Sequence, residues 1–430
     1  MRCRVKYTLQ KNRSQDGFTL LEVIVAMGLF VTILVIASSA FNRIVSISSN
    51  YSNMEESNIE GIIGLEVLRH DLAQMGFGLP WGWSKGSPAS SGSTPPSTII
   101  DSTISYSESV DTLGLNLNDA PGGIPRAFAS YAAIGAFSSD YIGLKGTTLG
   151  GSKESQRWTY IPYHNYSTSS GRESRPVSYS ANNPQSGDKI ILINSNVNDT
   201  VNKDHRLIVA PDDNTNFYQN FSVSSMSDDF LPTDDQNTYM VYGIGSVTPS
   251  MPFNRADFFI KTGNVPSFCE QLTTGVLYKA TVNHNDGGYT YIPLLDCVAD
   301  MQVVLGWDTS AGGSAGSVSA YSSLPKLSDG SVTATNGAGS LIQGWLSNAN
   351  ASRAKDIREH LKVVKVYILA QEGKRDPSYK SPTTSITVGD LIADGFRTKA
   401  DYVLSTAQQQ YRWKLYRIVV RPKNLVSNQR

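Results

Sequence analysis

Glu22 is the residue of this sequence whose surroundings most restrict what it can do. It is the sole charge between Phe18 and Phe41, and a carboxylate inside an apolar helix costs on the order of a few kcal/mol, so such residues usually have a partner. The chemistry this implies is charge pairing; a tilted anchor with Glu22 at the headgroup interface is the plainer alternative. Other reactive residue types are scattered. The five histidines, at 70, 164, 205, 284 and 360, show no HExxH and no paired spacing, which speaks against zinc catalysis. Gly146–Lys153 follows a strand-like run and superficially resembles a phosphate loop, but Ser152 follows the second glycine, Gly151, where a Gly-Lys-Ser/Thr run is required. The acidic pairs Asp212-Asp213, Asp228-Asp229 and Asp234-Asp235 offer oxygen ligands, lack EF-hand spacing, and read as solvated loop acids. Trp81 and Trp83 read as a cap over the end of a helical stripe, with an exposed adhesive patch as the alternative. No catalytic residue, metal site or cofactor follows from these patterns, and the expectation is a non-enzymatic protein.

The elements that must position Glu22 begin at the amino terminus. Arg2, Arg4, Lys6, Lys11 and Arg13 face one acid, Asp16, in the first 17 residues. The 24 residues Phe18–Phe41 then span roughly 36 Å as a helix, enough for a bilayer core of about 30 Å. The basic flank is expected to stay cytoplasmic, with everything after residue 41 translocated. Beyond it, Ile44, Ile47, Tyr51, Met54, Ile62, Leu65, Leu68, Leu72 and Met75 recur mostly at steps of three and four, the spacing of an amphipathic helix. Gly61 and Gly64 lie within that stripe, where they allow a bend or a close approach by a sheet. Gly76, Gly78 and Pro80 terminate it. The prediction is one helix of about 55 residues, apolar all round in its first half and on one stripe in its second.

The remainder is β-rich. Strands are predicted at 141–144, 189–193, 239–244, 258–261, 276–282, 289–292, 301–306, 363–369 and 411–421, with a short helix at 354–361. Asn283–Gly288 is the connection of a β-hairpin. Ser/Gly/Pro-rich loops fill 84–98 and 309–323. Regular βαβ alternation is missing, so the fold class is α+β: a long amino-terminal helix packed on a mainly antiparallel sheet. Composition agrees. Forty per cent hydrophobic residues, 17% charged ones, 36 Gly and 19 Pro describe neither a disordered chain nor a polytopic membrane protein. Equal totals of 37 basic and 37 acidic residues argue against a nucleic-acid partner. Three cysteines exclude a disulfide-dense scaffold.

Gly17-Phe18-Thr19-Leu20-Leu21-Glu22 resembles the type IV prepilin signature at every position of that short motif. The resemblance implies cleavage by prepilin peptidase between Gly17 and Phe18 and methylation of the Phe18 amine. It also implies that Glu22 pairs with the amino terminus of a neighbouring subunit and so sets filament register; the new amine lies just over one helical turn from the carboxylate. The chain then divides into a leader at 1–17, a transmembrane and filament-core helix at 18–41, its amphipathic half at 42–79, and a head at 80–430. Insertions are expected near 80–135, 145–186 and 309–347. Leu68–Phe77, Leu295–Gly306 and Arg417–Leu425 are similar to segments of PilW-type minor pilins, which implies a structural subunit in a tip or initiation complex. The implied partners are other minor and major pilins, the inner-membrane assembly platform, and the lipid bilayer through residues 18–41. The implied location is the inner membrane, then the pilus. A J-type pseudopilin of type II secretion and a pilin-anchored adhesin are the alternatives.

Loss of the leader's five basic residues and one acid would leave 32 basic and 36 acidic residues. It would also remove Cys3 and leave Cys269 and Cys297 in an oxidising compartment. One disulfide is the expectation there, worth roughly 3 kcal/mol for such a loop, with two buried free thiols as the other reading.

Overall fold

In the computed structural model, the helix expected from the apolar run and its amphipathic continuation is α1, Leu20–Gln74, 55 residues long. The structure describes residues 19–85, 104–109, 117–163, 167–168, 171–172, 175–178, 181–196, 205–210, 216–224, 226–232, 237–270, 272–347 and 353–425, the side chains of 46–47, 49–60, 85, 167–168, 171–172, 196 and 393 excepted. Two compact units are present, residues 1–55 and 56–430.

In the second unit, α1 ends where its sequence stops supporting helix. Gly76 adopts φ +82° and Gly78 φ +66°, the left-handed conformation that glycine tolerates without a Cβ penalty. The Gly76 N–H leaves the helix to donate to the Lys145 carbonyl at 2.9 Å. Leu65, Leu68, Leu72 and Met75 are buried, but Ile62 is 58% exposed, so the stripe as predicted needs correction there. Gly61 and Gly64 occupy the sheet-facing side in its place, and Ile62 lies about 100° round the helix from Gly61. A Cβ on Gly64 would stand 1.9 Å from the Leu294 carbonyl oxygen, and one on Gly61 2.7 Å from the Leu295 side chain. Of the two roles expected for these glycines, close approach by a sheet is the one the structure uses. Ile44, in the first unit, is 64% exposed; the side chains of Ile47, Tyr51 and Met54 lie outside the described residues.

The sheet that approaches has eight strands. Its order is Arg412–Val420, Leu361–Glu372, Tyr289–Trp307, Gly275–Val282, Asn254–Lys261, Tyr141–Gly146 and Phe128–Tyr131, with Ala320–Ser322 on the end of Tyr289–Trp307. All its pairings are antiparallel. The runs predicted at 289–292 and 301–306 are one continuous strand of 19 residues. Register shifts opposite Pro293–Val298 and at Asp300 break its regularity. Such irregularities add local bend and twist, and they interrupt the sequence pattern by which a strand is recognised. The hairpin at 283–288 forms, with Asn283 N–H donating to Gly288 O at 2.8 Å.

A second sheet of six strands was not foreseen. It runs Gly82–Lys85, His205–Val209, Lys189–Asn196, Asn237–Gly245 and Trp158–Pro162, with Gln219–Asn220 beside Lys189; its first pair is parallel. Stretches expected as surface additions therefore supply ordered strands: Gly82–Lys85, Phe128–Tyr131 and Trp158–Pro162. The uninterrupted run Ile190-Ile191-Leu192-Ile193 has a simple cause. Ile191 and Ile193 enter the main core with Leu68 and Leu72, whereas Ile190 and Leu192 enter a second cluster with Phe230 and Val241. A strand covered on both faces has no polar side to show. Two short helices, α2 (Gly339–Leu346) and α3 (Arg353–His360), precede the Leu361–Glu372 strand.

The α1–sheet contact gives a direct test. Gly64→Ala gains about 1 kcal/mol of helix propensity, yet its methyl meets a backbone carbonyl that cannot rotate away. Overpacking of that kind costs about 1–3 kcal/mol, so a net loss of thermal stability is expected for the full chain in detergent. Gly344→Ala in α2, with open space around its Cβ, serves as the control that is neutral or stabilising.

Candidate functional site: the amino-terminal segment

Thr19 starts the site. It is the residue before α1, and its carbonyl accepts from the N–H groups of Glu22 (3.0 Å) and Val23 (3.2 Å). Its Oγ1 lies 3.3 Å from the Glu22 nitrogen and takes the same proton. Thr19 is thus a side-chain N-cap, and Thr19-Leu20-Leu21-Glu22 has the spacing of a capping box. Glu22 sits in the first turn, where the positive end of the helix dipole favours an anion. The carboxylate is exposed. Gly17 and Phe18 lie outside the described residues.

Leu20–Val45 follows as a span of 26 residues with mean hydropathy 2.7. It is the one helix among the described residues long and apolar enough to cross a membrane. Sixteen large apolar side chains in it are exposed, Leu20 at 80% and Ile36 at 67% among them. At about 1.5–3 kcal/mol for each such side chain, leaving them in water would cost tens of kcal/mol. Its hydroxyls do not offset that apolarity. Thr32 Oγ1 donates to Leu29 O and Ser39 Oγ to Ile36 O, both at 2.8 Å, returning their polar hydrogens to the helix. Such a surface is complete only in lipid or among other apolar helices.

The head carries buried charges that sequence reasoning missed. Lys145 Nζ donates to Glu108 (2.8 Å) and Asp119 (2.6 Å), Arg126 to Asp119 (2.7 Å), and Arg255 to Asp257 (2.7 Å) and Glu108 (3.2 Å). Burial alone would raise the Asp119 carboxyl, but Lys145 and Arg126 outweigh it and hold the group well below the usual carboxylate range. Tyr141 and Tyr289 hydroxyls donate to Asp257, and burial raises both phenols. The three carboxylates are engaged with one another's cations, so the cluster ties residues 104–109 and 117–126 to the sheet. Alternation of lysine, arginine and aspartate within β-prone runs (Lys145; Arg255 and Asp257) was its one trace in the sequence.

The other residues singled out fall apart from one another. Cys269 and Cys297 are joined in a disulfide, 28 positions apart in sequence, which links the 262–274 turn to the long strand. His70 is mostly exposed, with Nδ1 3.4 Å from Asp71, which itself pairs with Lys279 at 2.6 Å. Trp83 is buried in the main core, while Trp81 stacks on His205. Thr147–Gly150 is a 3-10 turn whose Thr147 carbonyl accepts from Asn254. Asp228-Asp229 begin another; Asp212-Asp213 and Asp234-Asp235 lie outside the described residues.

A family profile described as the prokaryotic N-terminal methylation motif matches residues 12–38. No curated protein and no solved structure matches the chain. The chain is prepilin-like: its matched segment includes the capped Glu22 turn and most of the apolar span.

One group makes the head's stability depend on pH. Asn254 Nδ2 donates to Thr147 O and Ile244 O, which leaves Asn254 Oδ1 to accept from His284 Nε2–H at 3.0 Å. His284 Nδ1 accepts from the Ser250 N–H at 3.3 Å, so the ring is neutral, and burial pushes it down to about 4. A depressed histidine means the unfolded chain binds the proton more readily. Its stabilisation is full above about pH 6.5 and falls as pH drops towards 4, by about 3 kcal/mol. Asp140, which burial pushes up to about 7, contributes with the opposite sign. Comparing wild type with His284→Gln by urea unfolding at pH 7 and pH 4 isolates the histidine: the variant is expected to lose less stability than the wild type.

Proposed function

We propose that this chain is a minor pilin of the type IV pilus, of the PilW type, acting as a structural subunit in a tip or initiation complex. The observation that carries the reading is the prepilin motif running directly into an apolar helix whose first turn holds the capped Glu22. In this reading prepilin peptidase cuts between Gly17 and Phe18 and the Phe18 amine is methylated. Residues 18–41 anchor the precursor in the inner membrane with the head exported. The segment then transfers into a bundle of equivalent helices from other pilins, handed over by the inner-membrane assembly platform. The exposed apolar surface of Leu20–Val45 supports that transfer, because lipid and a helix bundle satisfy it alike.

Glu22 provides selectivity. Alone in hydrocarbon its charge is costly; opposite a free amine it is neutralised, and a helix displaced by one turn loses the pair. The helix dipole and the Thr19 cap keep the carboxylate in the first turn, where a neighbour's amino terminus can reach it. Export also suits the disulfide, since oxidising compartments preserve such bonds.

Two measurements test the reading. Mass spectrometry of the mature protein is expected to find a chain beginning at N-methylated Phe18; a chain retaining Met1, or starting near residue 41, overturns it. Glu22→Ala is expected to abolish incorporation into pili while membrane insertion persists, and unchanged piliation would count against the pairing role.

A further inference from the structure

Arg358, on α3, differs from the buried cations already described. Arg126, Lys145, Arg255 and Lys279 each meet a carboxylate. Arg358 donates no hydrogen bond to any described residue, and its Nε is buried without a partner. Burial lowers its pKa to about 10, with Glu359 and Asp356 on its own helix opposing that shift. It remains charged at neutral pH, half-buried, with no carboxylate among the described residues at hydrogen-bond distance, an arrangement that costs stability.

The guanidinium is nevertheless held in place. It lies 4.6 Å over the Trp81 ring, whose other neighbour is His205, stacked at 4.3 Å with 29° between planes. The Trp81 backbone N–H donates to the His205 carbonyl at 2.6 Å, so the chain at Trp81 is fixed to the start of the His205–Val209 strand. Three separate pieces of chain thus build one platform: the turn after Pro80, a strand of the second sheet, and α3. A guanidinium stacked on an aromatic face keeps its N–H donors at the edge, the geometry that suits a carboxylate taken bidentately.

We propose that the Trp81–Arg358 platform receives an aspartate or glutamate side chain from an apposed protein subunit. The inference rests on the reading of this chain as an assembling subunit and adds the chemistry of one contact. A partner polypeptide is favoured over a free small anion. A side chain on a docked surface draws the rest of its affinity from the surrounding contact. Arginine and tryptophan are also the residue types that dominate binding energy at protein interfaces.

The test uses the full chain in detergent, titrated calorimetrically with a triglutamate peptide, a triglutamine peptide and sodium acetate. The expected result is saturable binding of triglutamate but not triglutamine, with acetate requiring a concentration at least about tenfold higher. Arg358→Met is expected to weaken triglutamate binding by at least about tenfold while its thermal midpoint stays level or rises, since an unpaired charge has been replaced by an apolar chain that still covers Trp81. Binding unchanged in Arg358→Met, or no binding by the wild type, overturns the proposal. So does a lowered midpoint in that variant, which would make Arg358 a structural prop, or acetate saturating alongside the peptide, which would mark a free-anion site. A chain that begins at methylated Phe18 yet fails this titration sinks the contact and leaves the pilin reading intact.

Discussion

Apolar helix surface must be covered, and α1 meets that requirement in two different ways. Over Leu20–Val45 every face is apolar, so no packing against one sheet could bury it; the covering material has to surround the helix, as lipid or other helices do. Over residues 61–75 one side carries Gly61, Gly64, Leu65, Leu68 and Leu72, and the protein covers that side itself through the Tyr289–Trp307 strand, while Ile62 and Ile63 stay exposed. The change from full apolarity to a single stripe is therefore a change in what surrounds the helix.

The self-supplied cover depends on contact distance. Gly64 lets the Leu294 backbone, and Gly61 the Leu295 side chain, come close to the helix backbone, and Leu65, Leu68 and Leu72 join the same core. A helix seated this closely on one sheet still leaves the sheet's other elements to be closed. The second sheet does part of this, lending Ile191, Ile193, Leu207 and Val209 to the same core. Beyond the core, charge performs the task that apolar burial performs within it. The Glu108–Asp119–Lys145–Arg255 cluster holds residues 104–109 and 117–126 to the sheet, and each of its carboxylates is answered by a cation at hydrogen-bond distance.

Arg358 breaks that rule within the head as Glu22 does within the anchor. In both, the chain's own described residues supply no opposite charge at hydrogen-bond distance. A soluble, self-sufficient protein gains nothing from such an arrangement. A subunit does, because the missing charge makes association selective: the partner that brings it is favoured and one that does not is penalised.

Much of this was legible in the residues taken in order, and the reason is locality. The start of α1 is written in Thr19 and Glu22, its end in Gly76, Gly78 and Pro80, and the hairpin in Asn283–Gly288, because capping, left-handed φ and turn formation depend on neighbours a few positions apart. The anchor's apolarity and the prepilin motif are local too. Only the tertiary structure decided that the glycines, and not Ile62, face the sheet, that a second large sheet exists in addition to the one expected, and that 289–307 is a single strand. It alone brought Glu108 to Arg255 across 147 positions and left Arg358 Nε without a hydrogen-bond partner. Those outcomes depend on which distant surfaces meet. Hydrophobic spacing marks a side chain as one to be buried, but it carries no information about what will bury it.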